Sequence, residues 1–359
     1  MDLGTRIIGR DRPVFIIAEV GVNHNGDPDL ARRLIDAAAG AGADAVKFQT
    51  FCAEDLATPE AAMAGYQQRN LRHDGSQADM LKALELPGHA LAALKAHAEE
   101  AGLVFLSSPF DLRSAELLRE LGVRAFKIGS GELTNHPFLA ELAAMGRPLI
   151  ISTGMATLEE VEDAAAVVRE NGAPPTAWMH CVSAYPSPTE ASNLRAMDTL
   201  RLAVGSPVGM SDHSEGITVA VAAVARGARL IEKHLTLSRD MPGPDHAASV
   251  EPAEFAEMVA SIRLVESALG DGVKHPAACE LETITAARRS LVAARDLPAG
   301  HTLTRDNIAI KRPATGLPPS ALGQVVGRCL GRAVHRDEIL TGEMLEEPCL
   351  TAPAARTAS

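Results

Sequence analysis

The chain has 359 residues, 46% hydrophobic and 22% charged, with a formal charge of −12 and 3% aromatics. That length allows one large domain and a small one, while the acidity and scarcity of aromatics exclude nucleic acid as a partner. No apolar run reaches the length of a membrane span, the N-terminus lacks the order of segments of a signal peptide, and the five cysteines (52, 181, 279, 329, 349) never occur as CxxC. The cysteine pattern argues against a disulfide framework and a zinc knuckle, and a cytoplasmic protein away from membranes is expected.

In chain order, short apolar runs alternate with longer amphipathic ones. Strands are predicted at 14–19, 45–49, 103–107, 125–129, 148–153, 177–181, 208–212 and 229–234. Helix-like stretches follow at 27–42, 89–102, 111–122, 136–146, 157–172, 194–203, 216–228 and 251–270, several closing on Gly. Eight strand–helix units give the rhythm of a (β/α)8 TIM barrel, so the fold class is α/β. A doubly wound open sheet is the rival, but no Gly-rich dinucleotide fingerprint follows the first strand. The barrel is expected over 1–270 and a linker over 271–285. A small, mostly β domain is expected over 286–347 and a disordered tail over 348–359. Residues 286–345 carry nine Lys/Arg against five Asp/Glu, a basic module beside an acidic body.

The predicted strands end in polar residues. Glu19 ends the first, followed by Asn23 and His24; Lys47 and Gln49 lie on the second; Lys127 leads into Ser130 and Glu132. Ser152 and Thr153 end the fifth strand, His180 the sixth with Tyr185 beyond, Ser211, Asp212 and His213 the seventh, and Glu232, Lys233 and His234 the eighth. Charge is expensive to bury unpaired, and in a barrel these ends share one rim where chemistry sits. A lone polar end is ordinarily a satisfied strand exit, but so many on one rim point to a site. His213 and His234, ending neighbouring strands, could meet on one divalent ion acting as a Lewis acid. Lys127, Ser130, Ser152 and Ser211 suit a phosphate or carboxylate. Lys47 and Gln49 share one side of their strand, and Glu132, after flexible Gly-Ser-Gly, could serve as a general acid/base.

The motifs AEVGVNHNG (18–26), DAVKFQTF (44–51), FKIGSGEL (126–133), STGMAT (152–157), HCVSAYPSP (180–188), GMSDHS (209–214), IEKHLT (231–236) and GPDHAAS (243–249) resemble the sialic acid synthase family. RRSLVAARDLPAG (288–300) and KRP (311–313) resemble that family's antifreeze-like (SAF) domain. The resemblance runs to about residue 347 and implies condensation of phosphoenolpyruvate with an N-acyl hexosamine to a nonulosonic acid. It makes His213 and His234 ligands of Mn²⁺, with Mg²⁺ or Co²⁺ as substitutes, and puts Lys127, Ser130, Ser152, Ser183 and Ser211 around phosphoenolpyruvate. Glu132, Glu19 and Lys47 are the implied catalytic residues, and Gln49, Asn70, Tyr185 and Asp245 the implied sugar-side contacts. Arg312 is similar to an arginine that the SAF domain lends to the partner's site, which implies a homodimer with swapped domains. Gly129 stands where the family often has Pro, and Ser183 where some members have Asn. NHNG and GPD point to the neuraminate and legionaminate branch, without separating an N-acetylmannosamine substrate from a 2,4-diacetamido-trideoxy hexose. A related phosphoenolpyruvate-dependent 3-deoxy sugar acid synthase and a non-catalytic carbohydrate-binding protein are the rival functions. The SAF-like tail argues against the first, and retention of Lys127, Glu132 and both histidines against the second.

Overall fold

A computed structural model describes residues 1–71 and 76–346; the predicted tail, 348–359, lies outside the described residues. The chain divides into one unit over Met1–Asp271 and a second from Gly272 onward.

The first unit is a closed barrel of eight parallel strands in sequential order. These are β1 (Phe15–Gly21), β2 (Ala45–Thr50), β3 (Val104–Pro109), β4 (Phe126–Ile128), β5 (Leu149–Ser152), β6 (Thr176–Cys181), β7 (Val208–Asp212) and β8 (Leu230–His234). β8 closes on β1 with Phe15 opposite Leu230 and Glu19 opposite His234. The surrounding helices start where the sequence supplies a cap. Asp27 accepts from Asp29 N ahead of Pro28, Asp111 caps with Ser114 N, and Thr157 forms a capping box with Glu160. Gly205, at φ +61°, ends the helix Ala196–Val204 in the left-handed conformation that glycine adopts without penalty.

Period-two alternation divides the apolar side chains into two cores. Ile16, Ala18 and Val20 point out to the helices, joined by Phe48, Met210 and Ile231. Phe15, Ile17, Leu106, Ile150, Met179 and Leu230 fill the barrel interior. Leu3 and Ile8 join that interior from the N-terminal segment, which folds back through an Asp2–Ile7 bridge. The same alternation explains β8: Leu230 lies in the inner core and Ile231 in the outer one, which turns Glu232 inward, Lys233 outward and His234 inward.

Between β2 and the helix Gly88–Glu100 the chain inserts short helices Ala53–Leu56, Gly65–Leu71 and Gln77–Leu84, which the sequence reading did not assign. Gly26, at φ +74°, lets the loop after β1 approach them: a Cβ there would stand 2.6 Å from Ala83 O.

The second unit contains β9 (Ser290–Ala293) antiparallel to β10 (Ile308–Lys311), and β11 (Cys329–Leu330) antiparallel to β12 (Leu345–Glu346). Leu291, Leu297, Leu303, Val325, Leu330 and Leu340 form its own core. The stretch read as a linker, 271–285, includes most of a helix, Leu281–Ala287; none of its residues is buried, so no apolar periodicity marks it. Cys52, Cys181 and Cys279 are free, whereas Cys329 is disulfide-bonded, which the expectation against a disulfide framework did not foresee. Among the described residues no helix is long and apolar enough to cross a membrane.

Candidate active site

A cavity of ≈ 500 Å³ opens at the C-terminal ends of the strands, the face on which barrel chemistry is built. Four charged side chains from four strands form its floor: Glu19 (β1), Lys47 (β2), Lys127 (β4) and Glu232 (β8), each no more than 5% exposed. Lys47 Nζ lies 2.8 Å from Glu19 Oε2 and 3.9 Å from Glu232 Oε2, and donates to Ser108 Oγ at 3.2 Å. Lys127 Nζ donates to Ser152 Oγ at 2.8 Å and lies 3.3 Å from Glu232 Oε1, which also accepts from Ser211 Oγ at 3.0 Å. Two cations and two anions cancel, which makes their burial tolerable.

The environments of the two carboxylates push them apart. Burial would raise the pKa of Glu232, but Lys127 and Lys47 overcome it and hold this carboxyl near 2. Burial raises Glu19 to about 7, opposed by Lys47 and reinforced by Glu232. Burial works against the Lys47 ammonium, yet Glu19 and Glu232 outweigh it and the pKa rises. The shifts of Lys47 and Glu19 favour opposite states of their ion pair. Lys47, facing two carboxylates, stays charged, and Glu19 is the member that titrates near neutrality. Burial lowers the pKa of Lys127, with Glu232 opposing.

Beside Lys127, small side chains surround a bare backbone. A Cβ on Gly154 would lie 2.3 Å from Ser183 Oγ, 2.8 Å from Ser130 Oγ and 3.2 Å from Cys181 Sγ, so only glycine leaves these groups converging. Gly154 N donates to Ser130 Oγ at 2.9 Å. Ser130, Ser152, Ser183 and Ser211 all line the cavity with Lys127. A lysine, clustered hydroxyls and no side chain between them suit an anion.

The imidazoles of His213 and His234 line the same cavity, with ring centroids 5.3 Å apart. His213 Nδ1 lies 2.9 Å from the carbonyl of Val182, to which it donates, and 3.7 Å from Cys181 Sγ, while its Nε2 lies 3.5 Å from Ser211 Oγ. His234 Nδ1 is buried with no hydrogen-bond partner among the described residues. Burial, with the neighbouring His213 and Lys47, holds His234 well below the usual imidazole range, so it is neutral. Burial would lower the pKa of His213, but the hydrogen bond and charge of Cys181 outweigh it and raise it. A neutral His234 with an orphaned nitrogen beside a second imidazole fits a divalent first-row metal; among the described residues no group of three His, Cys, Asp or Glu forms a fuller set.

The remaining wall is aromatic. Tyr185 stands 4.2 Å from His213 and 5.0 Å from Tyr66, centroid to centroid. Gln49 lines the cavity and donates to Glu19 Oε1 at 3.4 Å. Asp245 also lines it, raised by burial to about 6 against the pull of His213 and Lys47. The loop carrying Asp245 is held by three asparagine amides. Asn23 donates to Leu235 O and Ser249 Oγ, both at 2.9 Å, Asn25 to Pro242 O at 2.8 Å and Asn70 to Pro244 O at 2.6 Å.

The structure thus gathers Glu19, Lys47, Gln49, Lys127, Ser130, Ser152, Ser183, Tyr185, Ser211, His213, His234 and Asp245 around one cavity. Three predicted residues stand elsewhere. Asn70 is bonded to the Asp245 loop. Glu132 follows the lining residues Ser130 and Gly131, with its Oε2 accepting from Asn135 Nδ2 at 2.8 Å. Arg312 is exposed in the second unit. The sequence reading missed Tyr66, Ser108, Met80 and Leu84 as lining residues and gave Glu232 no role. Tyr66 alone carried a signal, being one of only two tyrosines.

Barrel, buried charge quartet, anion cradle and imidazole pair define an enzyme working on an anionic reactant at the strand ends. The chain belongs to the NeuB family, whose model matches residues 34–274, and residues 288–346 match the SAF domain. It is 44% identical over 331 residues to the N,N'-diacetyllegionaminic acid synthase of Campylobacter jejuni subsp. jejuni serotype O:2, covering 92% of this chain and 99% of that one. It is 37% identical over 343 residues to the N-acetylneuraminate-9-phosphate synthase of Homo sapiens, covering 95% of each. In three dimensions it resembles the N-acetylneuraminic acid synthetase of Leptospira borgpetersenii serovar Hardjo-bovis in complex with citrate. That match has a TM-score of 0.71 and 36% identity, and covers 79% of this chain and 94% of the other.

Proposed function

We propose that this enzyme condenses phosphoenolpyruvate with an N-acyl hexosamine and water, giving a nonulosonic acid and phosphate. The observation that carries this reading is the cavity's two-sided chemistry. An anion cradle around Lys127 and Gly154 shares one ≈ 500 Å³ space with the imidazole pair, Tyr185 and Asp245. Two reactants held at one mouth react as if at very high local concentration.

The reading assigns phosphoenolpyruvate to Lys127, Ser130, Ser152, Ser183 and Ser211, with Lys47 near its enol end. The open-chain sugar lies against Tyr185, Gln49 and Asp245. Carbon 3 of phosphoenolpyruvate attacks the aldehyde carbon; the new C–C bond forms as the carbonyl π pair moves to the aldehyde oxygen, which takes a proton and becomes a hydroxyl, and carbon 2 becomes an oxocarbenium. Water adds to carbon 2, and the tetrahedral adduct expels phosphate to leave the 2-keto acid. A divalent metal held by His213 and His234, Mn²⁺ before Mg²⁺ or Co²⁺, supplies Lewis-acid polarisation of the aldehyde when bound. On this reading Glu19, titrating near neutrality, accepts the proton released by the adding water. Glu132, which follows the lining residues Ser130 and Gly131, keeps the acid/base role implied by the resemblance.

One observation favours the 2,4-diacetamido-trideoxy hexose over N-acetylmannosamine. Met80, Leu84 and Pro244 line the main cavity and also an apolar annex of ≈ 430 Å³ with Met63 and Pro242. Such a wall suits a deoxy carbon and a second acyl group better than free hydroxyls. The higher identity to the diacetyllegionaminic acid synthase supports the same choice.

The test is phosphate release from phosphoenolpyruvate with each of the two sugars, with the product identified by mass. Release that needs a sugar and stops on chelation is expected, with the diacetamido sugar giving the higher kcat/KM. Absence of sugar-dependent phosphate release across N-acyl hexosamines overturns the reading.

A further inference from the structure

Lys233 is 0% exposed at its side chain on the outward face of β8, a position where β-strand neighbours in a barrel are apolar. Its Nζ lies 2.8 Å from Asp212 Oδ2, on the matching outward position of β7, and the two residues are register partners. Lys233 Nζ also donates to the carbonyl of Ser214 at 2.5 Å. Asp212 Oδ1 accepts from Ser214 N at 2.9 Å and from Ser214 Oγ at 2.7 Å.

These contacts tie the backbone on either side of His213 to that just before His234. Asp212 precedes His213 and Ser214 follows it, and both are tied to Lys233, which precedes His234. On the far side of each histidine the backbone is fixed as well: Ser187 N donates to His213 O at 2.9 Å, and Val250 N to His234 O at 2.9 Å.

A buried ion pair is a weak source of stability, because well-packed apolar residues of similar volume do as well or better once desolvation is included. Met210 and Ile231 already pack the outer face here, so an apolar pair would extend an existing core. What an ion pair adds is direction: its bonds fix the relative slide and twist of two strand ends, which apolar packing leaves softer.

We propose that Asp212 and Lys233 are a positioning pair that sets the separation and orientation of the His213 and His234 imidazoles for a divalent cation. The inference rests on the metal reading above, and its test separates the two. Groups that orient metal-binding histidines change affinity by about 10- to 100-fold when removed.

Three proteins decide it: the parent, Lys233→Met, and the double variant Asp212→Asn/Lys233→Met, which keeps an oxygen for Ser214 and buries no charge. Urea unfolding, Mn²⁺ affinity by electron paramagnetic resonance, and phosphoenolpyruvate affinity by calorimetry are measured on each. Lys233→Met lowers the unfolding midpoint, because Asp212 is left buried and unpaired. The double variant recovers the midpoint and retains phosphoenolpyruvate affinity within about 2-fold, yet binds Mn²⁺ about 10- to 100-fold more weakly. Recovery of Mn²⁺ affinity along with the midpoint overturns the proposal and leaves the pair structural. If the parent itself binds no Mn²⁺, the metal reading fails, and metal-free crystal structures judge the positioning alone. A His213–His234 ring separation in the double variant unchanged from 5.3 Å overturns it, and displaced rings uphold it.

Discussion

Gly154 is the residue on which the anion cradle turns. Its missing Cβ is the space in which Ser130 and Ser183 hydroxyls converge. Alanine there must rotate or push both serines aside, and it presses less on Cys181 Sγ, at 3.2 Å. Gly154→Ala is therefore expected to raise the KM for phosphoenolpyruvate by about 10-fold or more, the loss of one to two hydrogen bonds to a charged group, with the sugar KM nearly unchanged. Steady-state kinetics with each reactant varied checks this; equal rises in both would remove Gly154 from the anion site. His24 gives a pH prediction. It is 0% exposed, its Nδ1 accepts from Gly26 N at 3.0 Å, and its Nε2 has no partner among the described residues. Burial holds its pKa at about 4 against an ordinary 6.5. The folded state thus binds fewer protons than the unfolded state between those values. The contribution of His24 to stability is complete above pH 6.5 and lost as pH falls through that window to about 4, roughly 3 kcal/mol in all. His180, His234 and His246 shift the same way, so the parent's fall is larger than this share. Urea unfolding of chelated protein from pH 7 to 4 should show a shallower loss for His24→Gln than for the parent. Parallel curves would refute the assignment.

At the scale of elements, loops from opposite sides of the barrel seam are stitched together. The loop after β1 supplies Asn23 and Asn25, and helix Gly65–Leu71 supplies Asn70, each amide gripping a carbonyl of the loop after β8. That loop carries Asp245, 6% exposed. Asn23→Ala would leave Leu235 O and Ser249 Oγ each short of a partner, a loss of about 1–3 kcal/mol. Because the loosened loop holds Asp245, the sugar KM is expected to rise several-fold with the phosphoenolpyruvate KM held. Thermal unfolding with paired kinetics reads both effects; loss of stability with an unaltered sugar KM would confine Asn23 to a structural role.

At the scale of the whole molecule, the first unit is acidic and the region 286–345 basic, with nine Lys/Arg against five Asp/Glu. On the reading that Arg312 serves the site of a second copy, no single chain holds a complete site. Arg312→Ala and Lys127→Met would then each be nearly inactive alone. Mixed and allowed to exchange subunits, they should regain activity approaching about a quarter of the parent rate, since about half of random dimers are mixed and each has one whole site. Phosphate release from the mixture measures this. Confirmed exchange without recovery would keep Arg312 within its own chain or out of the reaction.

The sequence by itself determined the barrel and the composition of its rim. Local alternation in runs such as RLIEKH decides which side chains share a face, and the strand–helix rhythm decides the topology, so Glu19, Lys127, His213 and His234 were legible as strand-end residues. What only the tertiary structure decided is pairing across strands far apart in the chain. That Glu232 neutralises Lys127, that Lys233 finds its partner in Asp212, and that Gly154 opens the cradle for Ser130 and Ser183 are facts of closure, invisible in any local window. The insertion bearing Tyr66, Met80 and Leu84 was hidden for a related reason. Its helices are short and weakly periodic, and they gain their place from the groove they cover rather than from their own pattern.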